Sequence, residues 1–520
     1  METGRTSIAS YRRIHQVIEP WVCRQPEALA LQDKRGRVSY GELAVAIEDG
    51  AQRLRQLGVR PGDRVLMVAE NCVALGVLVL AASAMDAWAV VVNARLSPRE
   101  IDNFIEHSGA RRVFYTSEIS ADALMHAGRN RSVEQCWPAL GKLAVGPLNE
   151  GAHAEPASED PKEQVAAMIY TSGTSGHPKG VMLTHANLLH VAELVWALRR
   201  LGPQDKAYGV LPMAHVVGLS SQLVGSLACG CALVLEDRYS APALAKAMRE
   251  EGITVLMGVP AMYAKLLDWM RSAGGSIGPH VLRLAGVAGS PLTQQLKQDV
   301  EAALGLTLHN NYGLTEMSPT VSQTLLHAPR TDCSVGMPVP GVEIRIVDSE
   351  GQPVEPGAVG ELRVRGPNVM KGYYCNEALT REAVDAEGWF NTCDLARQEP
   401  DGALFIMGRT KELIIRSGFN VYPVEVEQVL NSHPDIVQSA VVGRQTDGNE
   451  EVIAFVEAAA NATISQDALE RYLRERLSPY KLPAEIHFLT QLPVAPTGKV
   501  LKNALKEKAA VLGAGRRDPS

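Results

Sequence analysis

With 520 residues, 46% hydrophobic and 21% charged, the chain is too long for one ordinary core and apolar enough to build two or more. A net charge of −7 leaves no basic footprint and argues against non-specific nucleic-acid binding. The eight cysteines are scattered, and no second Cys/His pair stands near Cys229 and Cys231 to complete a zinc site, so reduced thiols in a cytoplasmic protein are expected.

Elements follow in chain order. The opening METGRTSIASYRR has no apolar run of the kind a secretory signal needs. Apolar periodicity predicts helices over 40–57, 187–198, 241–251 and 293–304, separated by strand-like RVLMV, AVVVN, RVFYT, VAAMIY, TVLMGVP and LRLAGVAG. That alternation predicts parallel sheets with crossover helices. Two stretches, Cys72–Val92 and Val216–Leu235, are long and apolar enough to suggest membrane spans. Each breaks in the middle, at Asp86-Ala87 and Ala228–Gly230, so each is read as a buried helix and a buried strand, with no transmembrane segment.

After about Asp332 turn signals crowd in (PVPG, DSEGQPVEPG, RGPN, EPDG). The strands between them, VEIRIVD, GELRVRG and ALFIMGR, predict a small antiparallel, barrel-like subdomain over 332–410. From about Lys411 the texture returns to mixed α and β, with a charged helix expected over 466–477. The fold class is therefore α/β. A large N-terminal domain (1–410) carries the parallel sheets and the barrel-like piece, and a smaller α+β domain (411–520) is free to move against it.

The densest chemistry is YTSGTSGHPKG (Tyr170–Gly180) after the strand VAAMIY. Gly173, Gly176 and Gly180 let backbone amides approach a ligand, while Thr171, Ser172, Thr174, Ser175 and Lys179 supply hydroxyls and a compact cation. This is a phosphate-gripping loop and not a Walker A motif, because Lys179 follows Pro178 and precedes Gly180. Further segments follow: LPMAHVVGL with His215, NNYGLTE with Glu316, GWFNTCDLA with Asp394, GRTKELIIRSGFNVYPVEVE with Arg409 and Lys411, and PTGKVLK with Lys499.

Taken together these segments resemble the adenylate-forming superfamily of acyl-CoA synthetases, luciferases and standalone adenylation domains. The resemblance runs from about Val38 to Lys502. RPGDRV, NARLSPREIDNFIEHSGAR, GVPAMY, AGSPL and PYKLP support it. It implies that a carboxylate attacks the α-phosphate of ATP to give an acyl-adenylate and pyrophosphate, and that a thiol then displaces AMP. Lys499 would be the principal catalytic cation on the α-phosphate, where charge gathers. Thr171 to Gly176 (with Gly173 and Thr174) and Lys179 would hold the departing phosphates. Glu316 and Thr174 would hold Mg²⁺.

Asp394 would take the ribose hydroxyls, and Arg409 the ribose or a phosphate. Tyr312 and the Gly289–Ser290 segment would enclose the adenine, with Asn311, Gly313 and Thr315 alongside. Lys411 would be the hinge about which the small domain turns, Gly418 would line the thiol channel, and His215 would gate an acid pocket shared with Val216, Val217 and Gly218. Three residues depart from the family pattern: Ser175 stands for a second threonine, Cys393 for a glycine, and Ala214 for an aromatic.

The acid-pocket segments 215–225, 286–289 and 310–317 carry no arginine or lysine, which disfavours a short dicarboxylate such as malonate. The expected substrate is an apolar acid, fatty or aryl/phenylpropenoid. The expected thiol is CoA, because GFNVYPVEVE resembles the acyl-CoA ligase type. Loading of a carrier protein, a catalytically silent nucleotide-binding role and a homodimer all stay open.

Overall fold

The computed structural model describes residues 8–171, 179–417, 419–446, 449–458, 462, 464–494 and 500–514. Two large sheets dominate. One has eight strands, with Val165–Thr171, Trp88–Asn93, Arg64–Ala69 and Arg112–Tyr115 as its parallel centre. The other has nine, with a parallel run from Leu308–Gly313 through Leu284–Val287, Val255–Gly258, Lys206–Gly209 and Ala232–Leu235 to Leu29–Asp33. Both are closed off by antiparallel strands at their ends.

The central helices are apolar on every side. In Val73–Ala84 all residues but the last are buried, and it shares one core with His185–Arg199, with 217–228 and with strands of both sheets. Such all-round apolarity marks a helix packed inside a large domain. Both membrane-length stretches fold back on themselves as expected: Val73–Ala84 turns at Asp86 into Trp88–Asn93, and 217–228 turns at Gly230 into Ala232–Leu235. Among the described residues no helix is long and apolar enough to cross a membrane.

Outer helices are amphipathic and start where side chains cap their free amides. Ser39 and Glu42 form a capping box at Tyr40–Gln56, Ser97 and Glu100 do the same at Pro98–Ser108, and Thr293 caps Gln294–Leu304.

The turn-rich region forms a four-stranded antiparallel sheet, Glu343–Val347, Gly360–Arg365, Phe390–Gln398 and Leu404–Arg409. Beyond it come a hairpin (Ile414–Arg416 with Phe419–Val421) and a three-stranded sheet (Ile436–Thr446, Asn449–Ala458, Glu485–Leu489). Helices Pro423–Leu430, Gln466–Arg474 and Lys502–Ala514 accompany these, with their own apolar clusters.

Candidate active site

The carboxyl ends of parallel strands collect the residues of interest, as expected where ligands bind open α/β sheets. Val165–Thr171 pairs antiparallel with Lys179–Thr184, and Thr171 lies directly opposite Lys179. The strand pair thus brings the two ends of the glycine-rich loop together. Ser172, Gly173, Thr174, Ser175 and Gly176 lie outside the described residues. Below the loop Tyr170 is held rigidly, its ring stacked on Phe104 at 4.2 Å and its hydroxyl 2.9 Å from His107 Nδ1.

The Lys179 ammonium sits over the Tyr373 ring, 5.4 Å from its centre. The Tyr373 hydroxyl in turn donates to Glu316 Oε1 at 2.9 Å. Burial, then the charge of Glu316, raises the Tyr373 pKa, so the phenol keeps its proton. Lys179, Tyr373 and Glu316 therefore form a chain from phosphate loop to carboxylate. Tyr373 was not singled out in the sequence. Its only signal is an aromatic pair, Tyr373-Tyr374, in a turn-rich stretch.

A second chain lies beside the first. Tyr312, at the end of Leu308–Gly313, donates its hydroxyl to Asp394 Oδ2 at 2.5 Å. Asp394 is 4% exposed, and Arg409 Nε lies 3.1 Å from its Oδ1. Strand pairing explains the second contact, since Asp394 and Arg409 are cross-strand partners. Thr392 steadies the turn: its hydroxyl donates to the Leu362 carbonyl at 2.7 Å and accepts the Asp394 amide at 3.0 Å.

Burial, then Asp394, pushes the Tyr312 pKa well up. Burial opposes the charge on Arg409, but Asp394, Glu412, Tyr312 and Glu316 outweigh it and raise its pKa. Glu316 thus belongs to the field of both chains.

The neighbouring residues serve the backbone. Asn311 Nδ2 donates to the Val287 carbonyl at 3.2 Å, tying this strand to Leu284–Val287, which leads into Gly289 and Ser290. A side chain at Gly313 would collide with the Pro319 carbonyl, so only glycine fits there. Thr315 opens the short 3₁₀ turn that carries Glu316. Cys393 has φ of 54°, the left-handed conformation for which glycine is suited.

His215 stands before a π-helix, Val217–Val224, a wide winding that is uncommon and often found at functional sites. Gly218 lies against the Pro212 carbonyl, where any side chain would clash, and this lets the helix start so tightly after His215. Val216 is buried and Val217 partly so. Burial, then the nearby Arg95, lowers the His215 pKa to about 4, so its imidazole is neutral near pH 7.

At the other end, Lys411 lies in the turn Thr410–Glu412, and its carbonyl accepts from Lys506 Nζ at 3.2 Å. Lys502 Nζ lies 2.9 Å from both Glu412 and Glu427. The helix that follows the PTGK loop is thereby fastened to the Lys411 turn. Gly418 and Lys499 lie outside the described residues. Among those described, no group of three or more His, Cys, Asp or Glu residues converges on a metal position. A magnesium ion carried by nucleotide phosphates needs few protein ligands, and Glu316, with Oε1 held by Tyr373 and a second oxygen to offer, suits that part.

Known proteins resemble this chain along most of its length. Residues 18–374 match the AMP-binding enzyme family, and residues 425–499 match its C-terminal domain. A feruloyl-CoA synthase from Amycolatopsis sp is 32% identical over 501 residues, covering 95% of this chain and 99% of that protein. The crystal structure of ATP-bound MatB from Rhodopseudomonas palustris superposes with a TM-score of 0.84 at 29% identity, covering 96% and 99% of the two chains. The O-succinylbenzoate coenzyme A synthetase MenE from Bacillus subtilis, in complex with ATP and magnesium ion, gives 0.79 at 28% identity over 94% and 99%. With its fold and these matches in agreement, the chain belongs to the AMP-binding enzyme family, within the adenylate-forming superfamily of acyl-CoA synthetases and AMP-dependent ligases.

Proposed function

We propose that this AMP-forming acid–CoA ligase activates an acid with an apolar body, fatty or aryl/phenylpropenoid. The carboxylate attacks the α-phosphate of ATP and releases pyrophosphate. The CoA thiol then attacks the acyl carbonyl and releases AMP. The observation that carries this reading is the meeting of the Lys179–Tyr373–Glu316 and Tyr312–Asp394–Arg409 chains at the strand ends.

Each residue then has a task. Thr171, Lys179 and the loop between them hold the leaving phosphates. Asp394, already oriented by Tyr312 and Arg409, accepts from the ribose hydroxyls. Tyr312 borders the adenine together with Gly289 and Ser290. Glu316 would hold Mg²⁺, which neutralises phosphate charge. His215, neutral and set against the π-helix, orients the acid without donating a formal charge. The feruloyl-CoA relative supports the aryl option, and the ATP and magnesium complexes of related enzymes support the nucleotide assignment.

Residues 411–520 form a mobile domain that turns at Lys411 and brings Lys499 to the α-phosphate for the first step only. Replacing Lys499 by Ala is expected to lower adenylation by about 10²–10³ while sparing thiolation of a supplied acyl-adenylate. Equal loss in both half-reactions would count against the rotation.

The direct test is ATP- and Mg²⁺-dependent AMP release across fatty, benzoic and cinnamic acids, with and without CoA. CoA-stimulated AMP with one acid class is the expected result. AMP release that CoA does not stimulate would move the acceptor to a carrier-protein phosphopantetheine.

A further inference from the structure

The loop that carries His215 is buried without being regular structure. Strand Lys206–Gly209 ends, and Val210, Leu211, Met213 and Ala214 are all buried before the π-helix begins. Pro212, in the middle of them, has no amide to offer. Backbone carbonyls and amides in such a stretch are shut off from water and need partners from elsewhere in the chain.

One side chain supplies three of those bonds. Asn71 Nδ2 donates to the Gly209 carbonyl at 2.9 Å and to the Leu211 carbonyl at 3.0 Å. Asn71 Oδ1 accepts the Met213 amide at 2.8 Å. The residue is only 5% exposed, and these contacts use both of its amide hydrogens and its oxygen. Aspartate would keep the acceptor but lose both donors. The loop then closes on itself. The His215 amide donates to the Pro212 carbonyl at 2.9 Å, and the His215 carbonyl accepts the Leu219 amide at 3.1 Å. His215 is therefore bonded to the proline that lies between two Asn71 contacts.

Asn71 itself is well anchored. It follows strand Arg64–Ala69 of the other large sheet. Two residues later the Val73 amide, which opens helix Val73–Ala84, donates to Asp33 Oδ2 at 2.9 Å. Its neighbour Glu70, 4% exposed, accepts from Arg238 Nε at 2.9 Å, and Arg238 follows strand Ala232–Leu235. Two successive residues leaving one sheet thus grip the loops that follow two parallel strands of the other.

We propose that Asn71 is a positioning residue for acid activation, acting through the loop 210–214 to hold His215 where the acid binds. This deepens the acid–CoA ligase reading and rests on its placement of His215 at the acid. Without the Asn71 amide, two carbonyls and one amide are left buried and unpaired, and the loop shifts to satisfy them. His215 moves with it. A displacement of about 1 Å is enough to cost a positioned reaction about a hundredfold.

The experiment follows ATP–pyrophosphate exchange, which reads the first half-reaction alone, with the best acid of the fatty, benzoic and cinnamic panel. Asn71→Ala is expected to lower kcat/KM for the acid about ten- to hundredfold, while KM for ATP changes less than about twofold. Asn71→Asp keeps the volume and the oxygen but sets a carboxylate against two carbonyls, so it is expected to fall at least as far. It serves alone if Asn71→Ala fails to fold. His215→Ala is expected to be impaired as well, and adding Asn71→Ala to it is expected to cost less than about twofold more, because the residue being positioned is gone.

An equal further loss in the His215→Ala background, an unimpaired His215→Ala, a native-like Asn71→Asp, or a rise in KM for ATP as large as that for the acid overturns the inference. Each of these leaves Asn71 a purely structural residue and the ligase reading standing. No exchange by the native enzyme with any acid overturns the ligase reading itself, and the inference with it.

Discussion

Asp394 is nearly buried, and its two oxygens face different partners, the Tyr312 hydroxyl and the Arg409 guanidinium. A carboxylate held from both sides presents its remaining lone pairs in a fixed direction, which is what a ribose diol requires. Tyr312→Phe keeps the ring but removes the donor. A hydrogen bond to a charged group is worth about 1.5–3 kcal/mol, so KM for ATP is expected to rise roughly tenfold with little change in fold. An unchanged KM would show that the hydroxyl does not orient Asp394.

Cys393, one residue earlier, is one of several non-glycine residues in a left-handed conformation. Its left-handed backbone is unfavourable for a residue with a Cβ by about 1–2 kcal/mol. Cys393→Gly is therefore expected to raise stability by roughly 1 kcal/mol, less than the full strain because glycine also loosens the unfolded chain. Thermal unfolding of the two proteins checks this, and a lower midpoint for the glycine variant would refute it.

Among the elements, the C-terminal helix Lys502–Ala514 holds an unusual position. Its first residue, Lys502, sits between Glu412, beside the Lys411 turn, and Glu427, whose Oε1 also accepts the Val441 amide at 2.8 Å. Burial opposes the charge on Lys502, but Glu427 and Glu412 outweigh it and raise its pKa. One cation thus links three elements next to the PTGK loop. Lys502→Met would leave two partly buried carboxylates facing each other without it, a loss of about 2–4 kcal/mol. Hydrogen exchange is expected to rise in 412–430 and 502–514 while the two large sheets stay protected. Uniform protection in the variant would mean the clamp is ornamental.

Across the whole molecule, several histidines are held as neutral rings, His185 buried and His15 and His215 partly buried. His15, 3.0 Å from Ser83 Oγ, is lowered to about 4 by burial, against Asp86, and His215 falls to about the same value. His185, whose Nδ1 accepts the Ile14 amide at 3.2 Å, is lowered well below the ordinary 6.5. In each case the unfolded chain binds the proton first, so the stabilisation is complete above about pH 6.5 and is lost as the pH falls towards 4. The slope is about 1.4 kcal/mol per pH unit for each such histidine. Denaturant midpoints measured at pH 7.5, 6 and 5 are expected to fall steadily. A flat profile over that range would show that these rings are not buried in solution.

Much of this architecture was legible along the chain. Helix starts at Tyr40–Gln56 and Gln294–Leu304 are written in local caps, and the strands VAAMIY and RVLMV in runs of apolar residues, because both depend on neighbours a few positions away. The same locality identified the glycine-rich loop, Glu316 and Asp394 as chemical candidates. Their partners could not be read this way. Tyr312 meets Asp394 across 82 positions, Tyr373 meets Glu316 across 57, and Lys502 meets Glu412 across 90.

Such meetings depend on strand order and crossover paths, which local periodicity leaves open. Local chemistry in the sequence was enough to indicate adenylate formation, whereas packing between distant segments decided which side chains orient Glu316 and Asp394.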